Sequence, residues 1–197
     1  NKINLKYILN THHHGDHIGG NNTLKNKFSA KILASENDRE RIPEIDIFLS
    51  DGQIWKDDIF EFKVISVPGH TMGHICFYFF NEKIVFTGDT LFSLGCGRVF
   101  EGSNEDMFNS LTKLKSLPPV TKVYFGHEYT LNNSIFCSKF DENNSELDRK
   151  IIDIKKKLNN GLPTVPSSIK DELDCNIFLR AKTLKEFSKL RDLKDNF

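Results

Sequence analysis

Residues 11–17 read Thr-His-His-His-Gly-Asp-His, and no other segment restricts the fold of this chain as strongly. The cluster is internal, follows an apolar alternating stretch (Leu5, Tyr7, Leu9), and is broken by Gly15 and Asp16, so it is not a histidine tag. Imidazole and carboxylate are the ligands of zinc, iron and manganese, and a tight turn brings four of them together. His12 and His14 are two residues apart, so an extended backbone turns both the same way. Asp16 and His17 then project towards a second position beside the first. A chain with this segment has to end a strand here and bring further ligands to meet it.

Three more ligand-type residues occur in one recurring context. His70 follows Val67-Pro-Gly69, Asp89 follows Val85-Phe-Thr-Gly88, and His127 follows Tyr124-Phe-Gly126. Each comes directly after a glycine at the end of an apolar, β-branched or aromatic run. Such strand ends converge at one edge of a sheet, and glycine lets the chain turn sharply there. Seven candidates (His12, His14, Asp16, His17, His70, Asp89 and His127) exceed the four groups of one tetrahedral zinc. They suit two metals sharing a carboxylate, with Asp89 as the bridge, because a carboxylate offers one oxygen to each ion and an imidazole does not. A two-metal site holds a water between the ions, lowers its pKa towards neutrality and stabilises a developing oxyanion. Hydrolysis of a carbonyl or phosphoryl ester is the expected chemistry. No Gly-rich phosphate loop and no Ser-His-Asp signature competes with it.

The rest of the 197 residues supports one domain, or one with a small appendage. Strands are expected around residues 5–9, 60–67, 75–80, 84–86 and 123–125, with Asn81-Glu82 as a hairpin turn. Helices are expected over 105–117, along the stripe Leu147, Ile151, Ile154 and Leu158, and after a Thr183-to-Glu186 capping box. The character changes past Asn133 to helix alone, giving an α/β body with a helical tail. The 27 basic residues equal the 27 acidic ones, so the basic footprint of a nucleic-acid protein is missing, and no apolar run reaches bilayer length. Four separated cysteines suit a reducing compartment. With no leader visible, a cytoplasmic location is expected.

At these residues the sequence resembles the metallo-β-lactamase superfamily, whose pattern T-H-x-H-x-D-H is Thr11 to His17 here. The resemblance narrows to the hydroxyacylglutathione hydrolases, or glyoxalase II enzymes. It does so through Pro68-Gly-His-Thr-Met-Gly-His74, Thr87-Gly-Asp-Thr-Leu-Phe92, Gly95-Cys-Gly-Arg98 and Gly126-His-Glu-Tyr-Thr130. Later segments share in it: Leu162-Pro-Thr-Val-Pro-Ser167, Asn176-Ile-Phe-Leu-Arg180 and Arg191-Asp-Leu-Lys194. It implies an αββα sandwich, two mixed β-sheets flanked by helices, over residues 1–132, and a C-terminal helical substrate-binding domain over 133–197. Members begin with further strands, so the first domain is expected to be N-terminally incomplete.

The resemblance assigns His12, His14 and His70 to one metal and Asp16, His17 and His127 to the other. Asp89 bridges them, and Asp16 and Asp89 are the catalytic carboxylates beside a bridging hydroxide. Two divalent ions are implied, zinc first, with iron or manganese accepted by the same donors. The implied substrate is an S-(2-hydroxyacyl)glutathione, above all S-D-lactoylglutathione, held by Arg98, Tyr129, Arg191 and Lys194. A monomer or weak dimer is expected, with neither nucleic acid nor membrane as partner. Arg98 replaces the lysine of many members, and Phe100 replaces a tyrosine and with it a hydroxyl. Arg191 and Lys194 share a helical face with Leu184, Phe187 and Leu190, so they need an anionic partner or a route to water.

His13 and His74 are expected to support the ligands rather than to bind metal, and Cys96 to be a packed thiol. The rival within the superfamily is a mononuclear iron glutathione-persulfide dioxygenase, which the helical tail argues against. A nuclease lacks support in the charge. A β-lactamase of this superfamily often carries cysteine where Asp89 stands.

Overall fold

Side chains alternate across a strand, and the burial of alternate residues decides how the layers stack here. The computed structural model describes residues 4–197. Its smaller sheet pairs β1 (Tyr7–Leu9), β2 (Lys31–Ser35) and β3 (Ile47–Leu49) in that order, parallel throughout. Strands β4 (Ile54–Lys56), β5 (Glu61–Ser66), β6 (Ile75–Phe79) and β7 (Ile84–Gly88) begin the larger sheet. A ribbon of β8 (Leu91–Phe92) and β9 (Gly95–Cys96) interrupts it, and β10 (Lys122–Phe125) and β11 (Ser167–Ser168) complete it. Its order is β11-β10-β7-β6-β5-β4, with β10 parallel to β7 and every other pair antiparallel.

Leu33 and Leu49 from the small sheet meet Phe62, Val64, Ile75 and Phe77 from the large one, forming the core between the sheets. Their strand neighbours face outward. Ile32 and Ala34 pack with Ile42 and Ile18, and α1 (Gly15–Ile18) and α2 (Asn21–Phe28) lie on that side. Ile65, Cys76, Val85 and Val123 face the opposite layer, against Met107, Leu111 and Leu114 of α3 (Asn104–Lys115). The helix–sheet–sheet–helix order matches the fold class expected from the motifs.

The tail consists of α4 (Thr130–Phe140), α5 (Ser145–Asn159), α6 (Ile169–Cys175), α7 (Ile177–Arg180) and α8 (Leu184–Asp195). It shares one apolar cluster with the body, where Phe136, Ile154, Phe178 and Phe187 join the residues of α3 and the large sheet. The tail is not helix alone, because β11 adds a short edge strand to β10. Residue 132 lies inside α4, so the change of character falls earlier, between the end of β10 and Thr130.

Caps fix the helix starts. Ser103 Oγ accepts the Asp106 N–H at 3.1 Å while Asp106 returns a carboxylate to the Ser103 N–H at 2.8 Å, a reciprocal capping box. At α8, Thr183 Oγ1 accepts from the Glu186 N–H at 3.2 Å, but the Glu186 carboxylate reaches one residue further, to the Lys182 N–H at 2.8 Å. Strands β2, β3 and β4 were not legible as periodic runs: each is five residues or fewer, and β2 is buried on both faces after Lys31.

Phe62 is fully buried between the sheets, in aromatic contact with Trp55, Phe77 and Phe79. Phe62→Ala should lower stability by about 3–5 kcal/mol, read as a lower urea midpoint with an unchanged slope.

Candidate metal centre

Strand direction explains why distant residues meet. β5 and β7 are each antiparallel to β6, and β10 is parallel to β7. The C-terminal ends of β5, β7 and β10 therefore share one edge of the large sheet, and His70, Asp89 and His127 follow those ends. From the facing sheet, β1 leads into His12 and His14, and α1 carries Asp16 and His17. Two glycines make the approach possible. Gly88 has φ +49°, and a Cβ there would lie 2.5 Å from Thr11 Oγ1. A Cβ on Gly126 would lie 2.3 Å from Asp89 Oδ1.

The seven predicted ligands form two groups that touch. In the first, His14 Nδ1 is 3.1 Å from His12 Nε2 and 3.1 Å from His70 Nε2. In the second, His127 Nε2 is 3.1 Å from Asp16 Oδ2 and 3.3 Å from His17 Nε2. Asp89 lies between them, with Oδ2 3.6 Å from His70 Nε2 and 3.3 Å from His127 Nε2, and Oδ1 3.3 Å from His17 Nε2. The donor atoms of His12, His14 and His70, and those of Asp16, His17 and His127, each fall within a single 4.8 Å cluster.

The donor chemistry fits divalent cations. His70 Nδ1 lies 2.8 Å from the Arg98 carbonyl oxygen. A carbonyl only accepts, so that nitrogen carries the hydrogen and Nε2 presents a lone pair to the site. His12 Nδ1 lies 3.1 Å from Thr11 Oγ1, which orients its Nε2 in the same way. Asp89 Oδ1 is buried and makes no hydrogen bond. Lone pairs and an unpaired carboxylate oxygen turned towards one another call for positive charge between them.

The electrostatics agree. Burial, then His74 and the neighbouring imidazoles, hold His12 well below the usual imidazole range, and burial also lowers His70. Both stay neutral and able to ligate. Burial alone would raise the Asp89 carboxyl, but His17, His127 and His70 outweigh it and keep it below the usual carboxylate range. His17 is raised, first by the Asp89 carboxylate 3.3 Å away.

Around the ligands, His74 is buried, stacks on His12 at 4.6 Å, and accepts the Asp89 N–H on Nε2 at 3.1 Å. Burial pushes it down to about 3, so it is a neutral acceptor that fixes the Asp89 backbone. His13 lies 3.4 Å from Glu101 and 3.6 Å from the buried Asp38. Arg41 joins those two acids, and the His13 ring packs edge-on against His14 at 5.1 Å. Burial raises the Cys96 thiol despite the lowering effect of Arg191, in keeping with a packed side chain.

The four predicted substrate contacts differ in character. Tyr129 is half exposed, and its ring stacks on His127 at 5.0 Å with 14° between planes. Arg98 is largely exposed. The Lys194 Nζ sits over the rings of Phe136 and Phe197, at 5.0 and 5.3 Å. Arg191 is 5% exposed and already has partners: Nη1 donates to the Cys96 carbonyl at 3.1 Å, and Nη2 to Asp195 Oδ1 at 2.9 Å. Sequence reading missed Asp195, although its spacing of four from Arg191 is the spacing of a helical ion pair. A cavity of about 510 Å³ beside Thr11, His17 and Gly126 is walled by Phe77, Phe79, Phe86 and Tyr124, and none of the four contacts line it.

The chain is similar to known proteins over nearly its whole length. The family model described as the metallo-β-lactamase superfamily matches residues 1–127, and that described as the hydroxyacylglutathione hydrolase C-terminus matches 128–197. A hydroxyacylglutathione hydrolase of Pelagibacter ubique is 60% identical over 195 residues, covering 99% of this chain and 82% of the relative. One from Methylococcus capsulatus is 44% identical, covering 91% and 70%. The crystal structure of ETHE1 from Myxococcus xanthus superposes with a TM-score of 0.71 at 26% identity, covering 96% of this chain and 69% of that one.

Asp89→Ala removes a carboxylate that reaches both donor groups. Metal quantification after loading should find fewer than half the ions bound by the unmodified chain.

Proposed function

The chain belongs to the hydroxyacylglutathione hydrolase family of the metallo-β-lactamase superfamily, and on that membership we propose that it hydrolyses S-(2-hydroxyacyl)glutathione thioesters. S-D-lactoylglutathione is the first candidate: water adds across the thioester, giving D-lactate and glutathione. The observation that carries this reading is the pair of donor groups joined at Asp89. Beside it, Arg98, Tyr129, Arg191 and Lys194 supply the second half of what a charged thioester needs.

A divalent metal cofactor fits the His and Asp donors; two ions there, zinc first and iron or manganese next, would activate water and polarise the thioester carbonyl. His12, His14 and His70 would hold one ion and Asp16, His17 and His127 the other, with Asp89 shared. Asp16 and Asp89 act as the catalytic carboxylates, placing negative charge where the water is oriented. Thr11, the Arg98 carbonyl and His74 keep the ligands in place, so little reorganisation is left for the reaction. Arg98, Arg191 and Lys194 offer charge-assisted hydrogen bonds to the glutathione carboxylates, and the Tyr129 hydroxyl adds a donor beside His127. Arg98 keeps the cation of its lysine counterparts and adds a planar fork suited to carboxylate. Phe100, in contact with the His14 and His70 rings, gives the acyl side an apolar wall.

Two donor groups and the C-terminal match over 128–197 favour this reading over a mononuclear iron dioxygenase. Among the described residues no helix is long and apolar enough to cross a membrane.

The test is thioester hydrolysis and metal content measured on one sample. The expected result is turnover of S-D-lactoylglutathione that disappears on chelation and returns with metal. Two bound ions without turnover would overturn the reading, as would oxygen uptake with a persulfide and one iron per chain.

A further inference from the structure

Asp195 is the last residue of α8, an unfavourable place for a carboxylate, because the C-terminus is the negative end of the helix dipole. Two cations offset that cost. Asp195 Oδ1 accepts from Arg191 Nε at 3.2 Å and Nη2 at 2.9 Å, and Arg98 Nε approaches the same oxygen at 3.8 Å. The two arginines come from different elements, the loop after β9 and α8, and one aspartate oxygen serves both. Lys194, one residue away, has no carboxylate partner among the described residues. Arg191 is almost fully buried, so it needs an anion at all times. Asp195 keeps about a quarter of its side chain exposed, and Arg98 more than half. The anion between the arginines is therefore a carboxylate that solvent still reaches, beside a cation that solvent hardly reaches.

We propose that Asp195 is an internal stand-in for a substrate carboxylate. It neutralises Arg191 and Arg98 in the free protein and yields its place when a carboxylate of the glutathione moiety arrives. The inference rests on the glutathione-thioester reading and assigns that site a specificity device. A ligand without a suitably placed carboxylate cannot replace Asp195, so neutral thioesters are disfavoured before any chemistry takes place. Small anions meet a cation pair that is already satisfied.

The test compares the zinc-loaded chain with Asp195→Asn and Asp195→Glu, using S-D-lactoylglutathione, the same thioester with its glycine carboxylate amidated, and calorimetric binding of free glutathione. Removing an intramolecular competitor worth a partly exposed ion pair should lower KM, and the glutathione Kd, by about two- to fivefold in Asp195→Asn. The change should fall on KM rather than kcat, should shrink for the amidated thioester, and should be reversed in Asp195→Glu. An unchanged or raised KM and Kd in a folded Asp195→Asn overturns the proposal. If that variant does not fold, a structure of the unmodified chain with glutathione decides. A ligand carboxylate on Arg191 with Asp195 moved away supports the proposal, and Asp195 still bound to Arg191 overturns it. Absence of hydrolysis by the unmodified chain would refute the functional reading separately, while the glutathione measurements would still judge Asp195.

Discussion

Mutual crowding of electron-rich atoms is the constraint on which the rest of this structure depends. Seven side chains turn nitrogen lone pairs and carboxylate oxygens towards one another at 3.1–3.6 Å. A buried acceptor left without a partner, such as Asp89 Oδ1, costs about 1–3 kcal/mol, so a cation among the donors favours the arrangement. The surrounding fold removes the alternatives. Burial keeps His12 and His70 from protonating, glycines at 88 and 126 bring the strand ends within reach, and His74 pins the Asp89 backbone.

Much of this centre was legible in the sequence because it lies at strand ends. A ligand after a glycine at the end of an apolar run is a local signal, and strand polarity does the assembling. His12 to His17, His70, Asp89 and His127 all meet as their spacing suggested. The layers were legible in part, since Phe62, Lys63 and Val64 of β5 alternate between buried and exposed, whereas β6 is a continuous apolar run buried on both faces at its start. β2, β3 and β4 were hidden: a strand of three residues has no period, and β2 is buried on both faces. Asp38 and Asp195 were hidden differently. Each is an ordinary surface residue by type with an arginine three or four residues away, and only the tertiary fold buries Asp38 and brings Arg98 to Asp195.

The helical tail has two jobs that the chain does not separate. Phe136, Phe178 and Phe187 belong to the apolar cluster that covers the large sheet, while Arg191 and Lys194 sit among the same aromatic rings, over Phe178 and Phe136 respectively. Cations held against ring faces gain attraction that water would otherwise supply. The surface that stabilises the body thus also carries two of the cations proposed to meet the substrate.

One short segment joins the two halves of the site. The Arg98 carbonyl accepts from His70, Gly97 donates its N–H to the Thr90 carbonyl beside Asp89, and the Cys96 carbonyl accepts from Arg191. Three consecutive residues thus hold His70, the loop of Asp89 and the buried Arg191. An ion proposed for His70 and Asp89 and an anion proposed for Arg191 would both act on this one short piece of backbone, and any coupling between them would be reciprocal.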